Sequence, residues 1–149
     1  MFPLVLFISF GTLISARDFK ERRIPNKLNL LLFSLLLVTG VFSSISRTFN
    51  GSTFALIYFG TFLGLQLLSR GNLGMGDVKF SASCGFVIGY YAKDQWLIAL
   101  WLFFAFAGLV GLIGIAMNRA SLKTALPFAP AMTIVTILVG FNSLGNHLS

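Results

Sequence analysis

Gly74-Met75-Gly76-Asp77-Val78-Lys79 places a carboxylate beside two glycines at the mouth of a long apolar segment. An ionised aspartate at the centre of a membrane span costs about 2.5 to 3.5 kcal/mol on insertion scales, so a chain this apolar keeps one only with a partner or a task. The glycines remove side-chain bulk just before Asp77 and let another backbone, or a substrate, come close to its carboxylate. Read alone, the stretch is a weak signal and is better taken as a glycine-rich turn that opens a helix on an aspartate.

The rest of the chain supplies the context. Hydrophobic residues make up 56% of the sequence and charged residues 10%, and the mean hydropathy is +0.89. Such a composition implies an integral membrane protein and argues against a soluble globular domain. The 149 residues leave about 25 for each of six spans with its connector, close to the ~20 apolar residues a spanning helix needs, and the apolar runs fall at 2–16, 28–42, 53–68, 78–91 and 95–117, with a sixth that follows Ala125-Leu126-Pro127-Phe128-Ala129-Pro130 and ends near residue 144. A barrel would alternate apolar and polar residues over strands of about ten, and these runs do not alternate. The expected fold is an all-α bundle of six transmembrane helices, one integral-membrane domain over residues 1–149.

Between the spans lie connectors of distinct character. The first span has no basic residues before it and several after it, the pattern of a retained anchor rather than a signal peptide. Arg17 to Lys27 is the one charge-dense stretch, and Pro25 within it is suited to opening the second helix. A polar stretch, 43–52, precedes the third span. Gly60 and Gly64 on that span, the ladder Ser81, Gly85, Gly89 on the fourth, and Gly108, Gly111, Gly114 on the fifth have the small-residue spacing of close helix packing. Lys93-Asp94 forms a short break, and Trp96 after it suits an interfacial anchor. Pro127 and Pro130 stiffen the first turns of the last helix and leave carbonyls there unpaired.

The net charge of +7 would suggest nucleic acid in a soluble protein. Here the basic residues lie in connectors, so no nucleic-acid partner is expected and membrane lipids are. Arg17, Lys20, Arg22, Arg23, Lys27, Arg70, Lys79, Arg119 and Lys123 fall in the first, third and fifth connectors, and only Arg47 and Lys93 in the second and fourth. The positive-inside rule then puts the odd connectors in the cytoplasm and both termini outside. Asp18 follows the first span and Asp77 precedes the fourth, so both belong to the cytoplasmic face. Asp94 belongs to the other face, and Glu21 sits among basic residues as a solvated ion pair.

Two close carboxylates do not both ionise readily, and the pair shares one proton. That is the equipment of aspartic hydrolysis: the ionised member takes a proton from attacking water while the protonated member hydrogen-bonds the peptide carbonyl. Other chemistries lack parts. His147, the single histidine, belongs to the far face, so a Ser-His-Asp triad has no base. Cys84 is alone in an apolar run as a packing residue, and no metal site or cofactor is expected. Ion or proton binding by the same aspartates in a small transporter or channel subunit is the main rival, and a noncatalytic assembly scaffold a third; transporters usually hold their charge near the midplane, not at helix ends.

Asp18 followed by Arg22-Arg23-Ile24-Pro25-Asn26, then Gly74-Met75-Gly76-Asp77-Val78-Lys79, then Leu126-Pro127-Phe128-Ala129-Pro130 resembles the bacterial prepilin peptidases, intramembrane aspartic proteases of the GxGD type. The resemblance covers essentially the whole chain. It implies a six-helix fold in the bacterial inner membrane, Asp18 and Asp77 as the catalytic pair, and cytoplasmic removal of a basic leader from a prepilin or pseudopilin. Larger members carry an amino-terminal insert with paired cysteines and also methylate the new amino terminus. This chain starts at its first span with Cys84 as its one cysteine, and is closer to the short peptidases of tight-adherence (Flp-type) pilus systems. Around the pair, Gly74 and Gly76 are read as clearance for the substrate backbone. Lys79 is either a plain positive-inside residue or a partner for a carboxylate or the substrate. Pro25, Asn26, Pro127 and Pro130 are read as shaping the site.

Overall fold

The computed structural model describes residues 2–21, 24–68, 73–116 and 128–148. Among them the chain forms six helices and no strand: α1 Phe2–Glu21, α2 Asn26–Ser43, α3 Ile45–Leu68, α4 Met75–Tyr91, α5 Trp96–Ala116 and α6 Phe128–Leu148. A single 3-10 turn, Lys93–Gln95, stands between α4 and α5 where the Lys93-Asp94 break was expected. Within the described residues, three segments are long and apolar enough to cross a membrane, Asn26–Ser43, Ile45–Leu68 and Phe128–Gly145.

The helix boundaries follow local chemistry. Pro25, at φ −65° and ψ 117°, is the last extended residue before α2, and its carbonyl accepts the Asn29 N–H at 3.2 Å. The polar stretch 43–52 is not the connector its composition suggested. Ser44 alone breaks the chain, its N–H bonded to the Gly40 carbonyl at 2.8 Å, and α3 begins at Ile45. The Ser44 hydroxyl accepts the Arg47 N–H at 3.4 Å, supplying one of the helix's unpaired first-turn donors with a partner.

α4 is the centre. From Asp77 to Tyr91 every residue is buried except Lys79 and the half-buried Ala82. In lipid the hydrophobic effect gives helices no reason to associate, so association rests on close packing and polar contacts. Gly85 and Gly89 provide the closeness: a Cβ on Gly85 would lie 2.6 Å from the Phe54 carbonyl oxygen, and one on Gly89 2.8 Å from that of Asn50. Gly51, on the facing side of α3, is equally tight, at 2.9 Å from the Phe86 carbonyl. Gly60, Gly64 and Gly108 behave otherwise. A Cβ at any of them would meet nothing within 4 Å, so the expected close packing at these three positions is absent.

Two further seams set the ends of the bundle. The hydroxyls of Ser15 and Thr133 are hydrogen-bonded at 2.8 Å, and Thr133 also donates to the Gly11 carbonyl at 3.4 Å. These bonds bind the last turns of α1 to the first turns of α6. Phe7 stacks on Phe80 with ring centroids 6.0 Å apart, bringing α1 onto α4. Leu30, Val38, Phe42, Leu56, Trp101 and Leu112 remain exposed on the outside, an apolar surface that fits lipid and would be a liability in water.

Candidate active site

Asp18 lies in the last turn of α1, beyond the apolar run, and is 5% exposed. Its Oδ2 accepts the backbone N–H of Ala129 at 3.3 Å. That donor is one of the first N–H groups of α6, which have no partner within their own helix, and a carboxylate there also meets the positive end of the helix dipole. Burial raises the Asp18 pKa, and the Ala129 N–H pulls it back part of the way.

Asp77 lies in the first turn of α4, just ahead of its apolar run, and is 8% exposed. Gly74 in extended conformation precedes the helix, and its carbonyl accepts the Asp77 N–H at 3.0 Å. The Oδ1 atom of Asp77 is buried without a hydrogen-bond partner among the described residues. An ionised carboxylate is costly there. Burial first, and the charge of Asp18 second, push the Asp77 pKa up to about 7. The carboxyls are therefore in electrostatic contact from two separate helices, and their surroundings differ: Asp18 has a backbone donor, whereas an Asp77 oxygen has none among the described residues.

Around them the structure sorts the remaining candidates. Gly74 is exposed, and a Cβ on it would stand 3.0 Å from Asp77 Oδ2, so its bareness keeps one side of the carboxylate open. Gly76 instead makes room for the protein itself, because its Cβ would lie 2.8 Å from that of Ile24. The Lys79 ammonium donates to Asn26 Oδ1 at 3.1 Å, and no carboxylate is its partner among the described residues. Pro25 ends the α1–α2 connector beside Ile24. Pro130 occupies the first turn of α6, where its missing N–H would have had no helical acceptor. Pro127 lies outside the described residues, as do Arg22, Arg23, Arg70, Arg119 and Lys123, and so does the side chain of His147.

Sequence reasoning missed three participants. The Ala129 N–H has no side-chain signature. Ile24 was quoted within the motif of the resemblance but given no role of its own. Asn29, 3% exposed within α2, accepts from the Ser83 hydroxyl at 3.3 Å; a lone Asn in an apolar run was a signal available to be read. Asn26, Asn29 and Lys79, with Ser52, also form the polar part of an otherwise apolar groove of about 570 Å³ between α2, α3 and α4. Among the described residues, no group of three or more His, Cys, Asp or Glu side chains is placed to hold a metal.

Fold and site together define an integral membrane protein with a buried pair of aspartates at one end of a helical bundle. The chain belongs to the type IV leader peptidase family, whose model matches residues 5–115. It is 29% identical over 139 residues to a Bacillus subtilis protein named prepilin leader peptidase/N-methyltransferase, covering 93% of this chain and 54% of the relative. It therefore spans about half the length of that relative. It is 31% identical over 153 residues to leader peptidase HopD of Escherichia coli, covering 95% of this chain and 93% of the relative. No solved structure matches it.

Proposed function

We propose that the protein is an intramembrane aspartic endopeptidase that removes the leader peptide from prepilins or pseudopilins, with Asp18 and Asp77 as its catalytic pair. The observation that carries this reading is the buried Asp77 carboxyl, raised to about 7 by burial and by Asp18, with one oxygen that has no donor among the described residues. A pair so arranged holds a single proton near neutrality. Asp18, supported by the Ala129 N–H, is the ionised member and Asp77 the protonated one.

In the first step Asp18 takes a proton from water as the water oxygen attacks the scissile carbonyl carbon. Asp77 passes its proton to the carbonyl oxygen, giving a neutral gem-diol. Collapse breaks the C–N bond: the leaving amine gains a proton from Asp18, and Asp77 recovers one from the diol. The pair ends with the one proton it began with. Exposed Gly74 supports an approach for an unwound substrate backbone, and the groove ending at Lys79 suits the apolar segment that follows a leader. The names of the relatives support a prepilin substrate, and the excess of basic residues in the odd connectors supports a cytoplasmic site in the bacterial inner membrane.

The test is co-expression with a candidate prepilin, leader removal being followed on a gel with Asp18→Asn and Asp77→Asn introduced singly. Each variant is expected to stay in the membrane and lose processing by roughly 10²- to 10⁴-fold. Normal processing in either would remove that residue from the pair, and ion flux without cleavage in the wild type would favour a transporter.

A further inference from the structure

The two basic residues of the even connectors, Arg47 in the first turn of α3 and Lys93 in the turn before α5, line one pocket. It lies at the far end of α4 from Asp77, about 21 Å along the axis for 14 residues. Its volume is about 290 Å³, room for a phosphate group and several waters at about 30 Å³ each.

Two cations stand in the wall of this pocket. Two of the carbonyls at the end of α4 are already engaged: Ala92 accepts the Gln95 N–H at 2.9 Å, and Tyr91 accepts the Ser143 hydroxyl. The amides of Asn50 and Gln95 join the two cations in the wall. Asp94 is the single carboxylate there, leaving an excess of one positive charge, and neither Arg47 nor Lys93 makes an ion pair among the described residues. A guanidinium offers a planar fork to two oxygens and an ammonium a point charge, the combination that recognises phosphate. Basic pockets between helices at a membrane boundary hold lipid headgroups by this chemistry.

We propose that the Arg47–Lys93 pocket is a phosphate-binding site on the face opposite the aspartate pair, filled by a phospholipid headgroup or by free phosphate. The site does not depend on the peptidase reading.

The test uses the purified protein in nanodiscs of phosphatidylcholine, with phosphatidylglycerol added to the bilayer in one arm and inorganic phosphate to the buffer in the other. The thermal midpoint is followed against probe concentration. Phosphatidylglycerol is expected to raise the midpoint, with apparent affinity roughly fivefold weaker in Arg47→Gln or Lys93→Gln, about 1 kcal/mol for each lost cation. The rise should vanish in the double variant, persist in Lys20→Gln/Lys27→Gln at the other end, and survive Arg47→Lys. A midpoint raised by phosphate in phosphatidylcholine alone identifies a soluble anion as the source; one raised by phosphatidylglycerol alone identifies the lipid. Equal shifts in wild type and double variant, or no shift with either probe, would overturn the proposal. Both side chains are exposed, and the single variants keep the comparison decisive if the double variant misfolds.

Discussion

The backbone N–H of Ala129 reaches Asp18 Oδ2 at 3.3 Å, joining the first turn of α6 to the last turn of α1 across 111 residues of sequence. No corresponding donor reaches Oδ1 of Asp77 among the described residues. One carboxyl is thus supported as an anion and the other is disfavoured as one, and this asymmetry divides the proposed roles of base and acid.

Cleavage should therefore follow a bell-shaped pH profile. The alkaline limb falls as Asp77 ionises through about 7; the acidic limb falls as Asp18, itself raised above 3.8, becomes protonated. Stability has its own sign. A carboxyl whose folded pKa is raised contributes stability that is fully present below 3.8 and is lost as pH climbs through about 7. The thermal midpoint in detergent should be higher at pH 5 than at pH 8, and Asp77→Asn should flatten that slope. A midpoint rising with pH in the wild type would contradict the burial argument.

Gly85→Ala and Gly60→Ala should part company. The first forces a methyl to 2.6 Å from a backbone oxygen and 2.8 Å from the Tyr58 Cβ, a strain of about 1–3 kcal/mol. The second meets nothing within 4 Å and replaces a glycine inside a helix, a gain of roughly 0.5–1 kcal/mol. Unfolding in mixed micelles would compare them, and equal effects would refute the assignment of α4 as the close-packed face.

Gly76→Ala pushes against Ile24 at 2.8 Å, two positions after the start of the turn that carries Asp77. A displacement of that turn should lower cleavage by roughly ten- to a hundredfold, while Ile24→Gly in the same chain restores most of the loss. Failure of the second change to rescue would show that Gly76 serves something other than this contact.

Lys79 and Asn26 offer a double-mutant cycle. Their 3.1 Å hydrogen bond is exposed, so Lys79→Gln and Asn26→Ala should each cost about 0.5–1.5 kcal/mol in unfolding, and the double variant little more than either. Full additivity would mean that the bond contributes nothing to stability.

What could be read in advance depended on whether a residue's neighbours are announced by its own chemistry. Asp18 and Asp77 were legible because a charge flanking an apolar run has few places to go, and the order of the spans, Asp18 after the first and Asp77 before the fourth, assigned both to one end. The small residues of α4 were legible for their spacing. The same spacing misled at Gly60 and Gly64, because lipid tails and helix faces are equally apolar and nothing in the pattern says which one a glycine meets. The start of α3 was misjudged since a single serine can break and cap a helix, making a polar run look like a connector. The packing of Ile24 on Gly76 and the Ala129 N–H were not foreseen for a third reason: one is a loop residue's contact that obeys no period, and the other belongs to the backbone.

α4 touches all five other helices, so its own length does not have to match the bilayer. Its 17 residues rise only about 26 Å, against a hydrocarbon thickness of about 30 Å, while the 24 residues of α3 rise about 36 Å. A lipid-facing helix this short would thin the bilayer around it. Packed against all five neighbours, it is spared that cost, because protein rather than lipid covers its short apolar stretch and the carboxyl in its first turn.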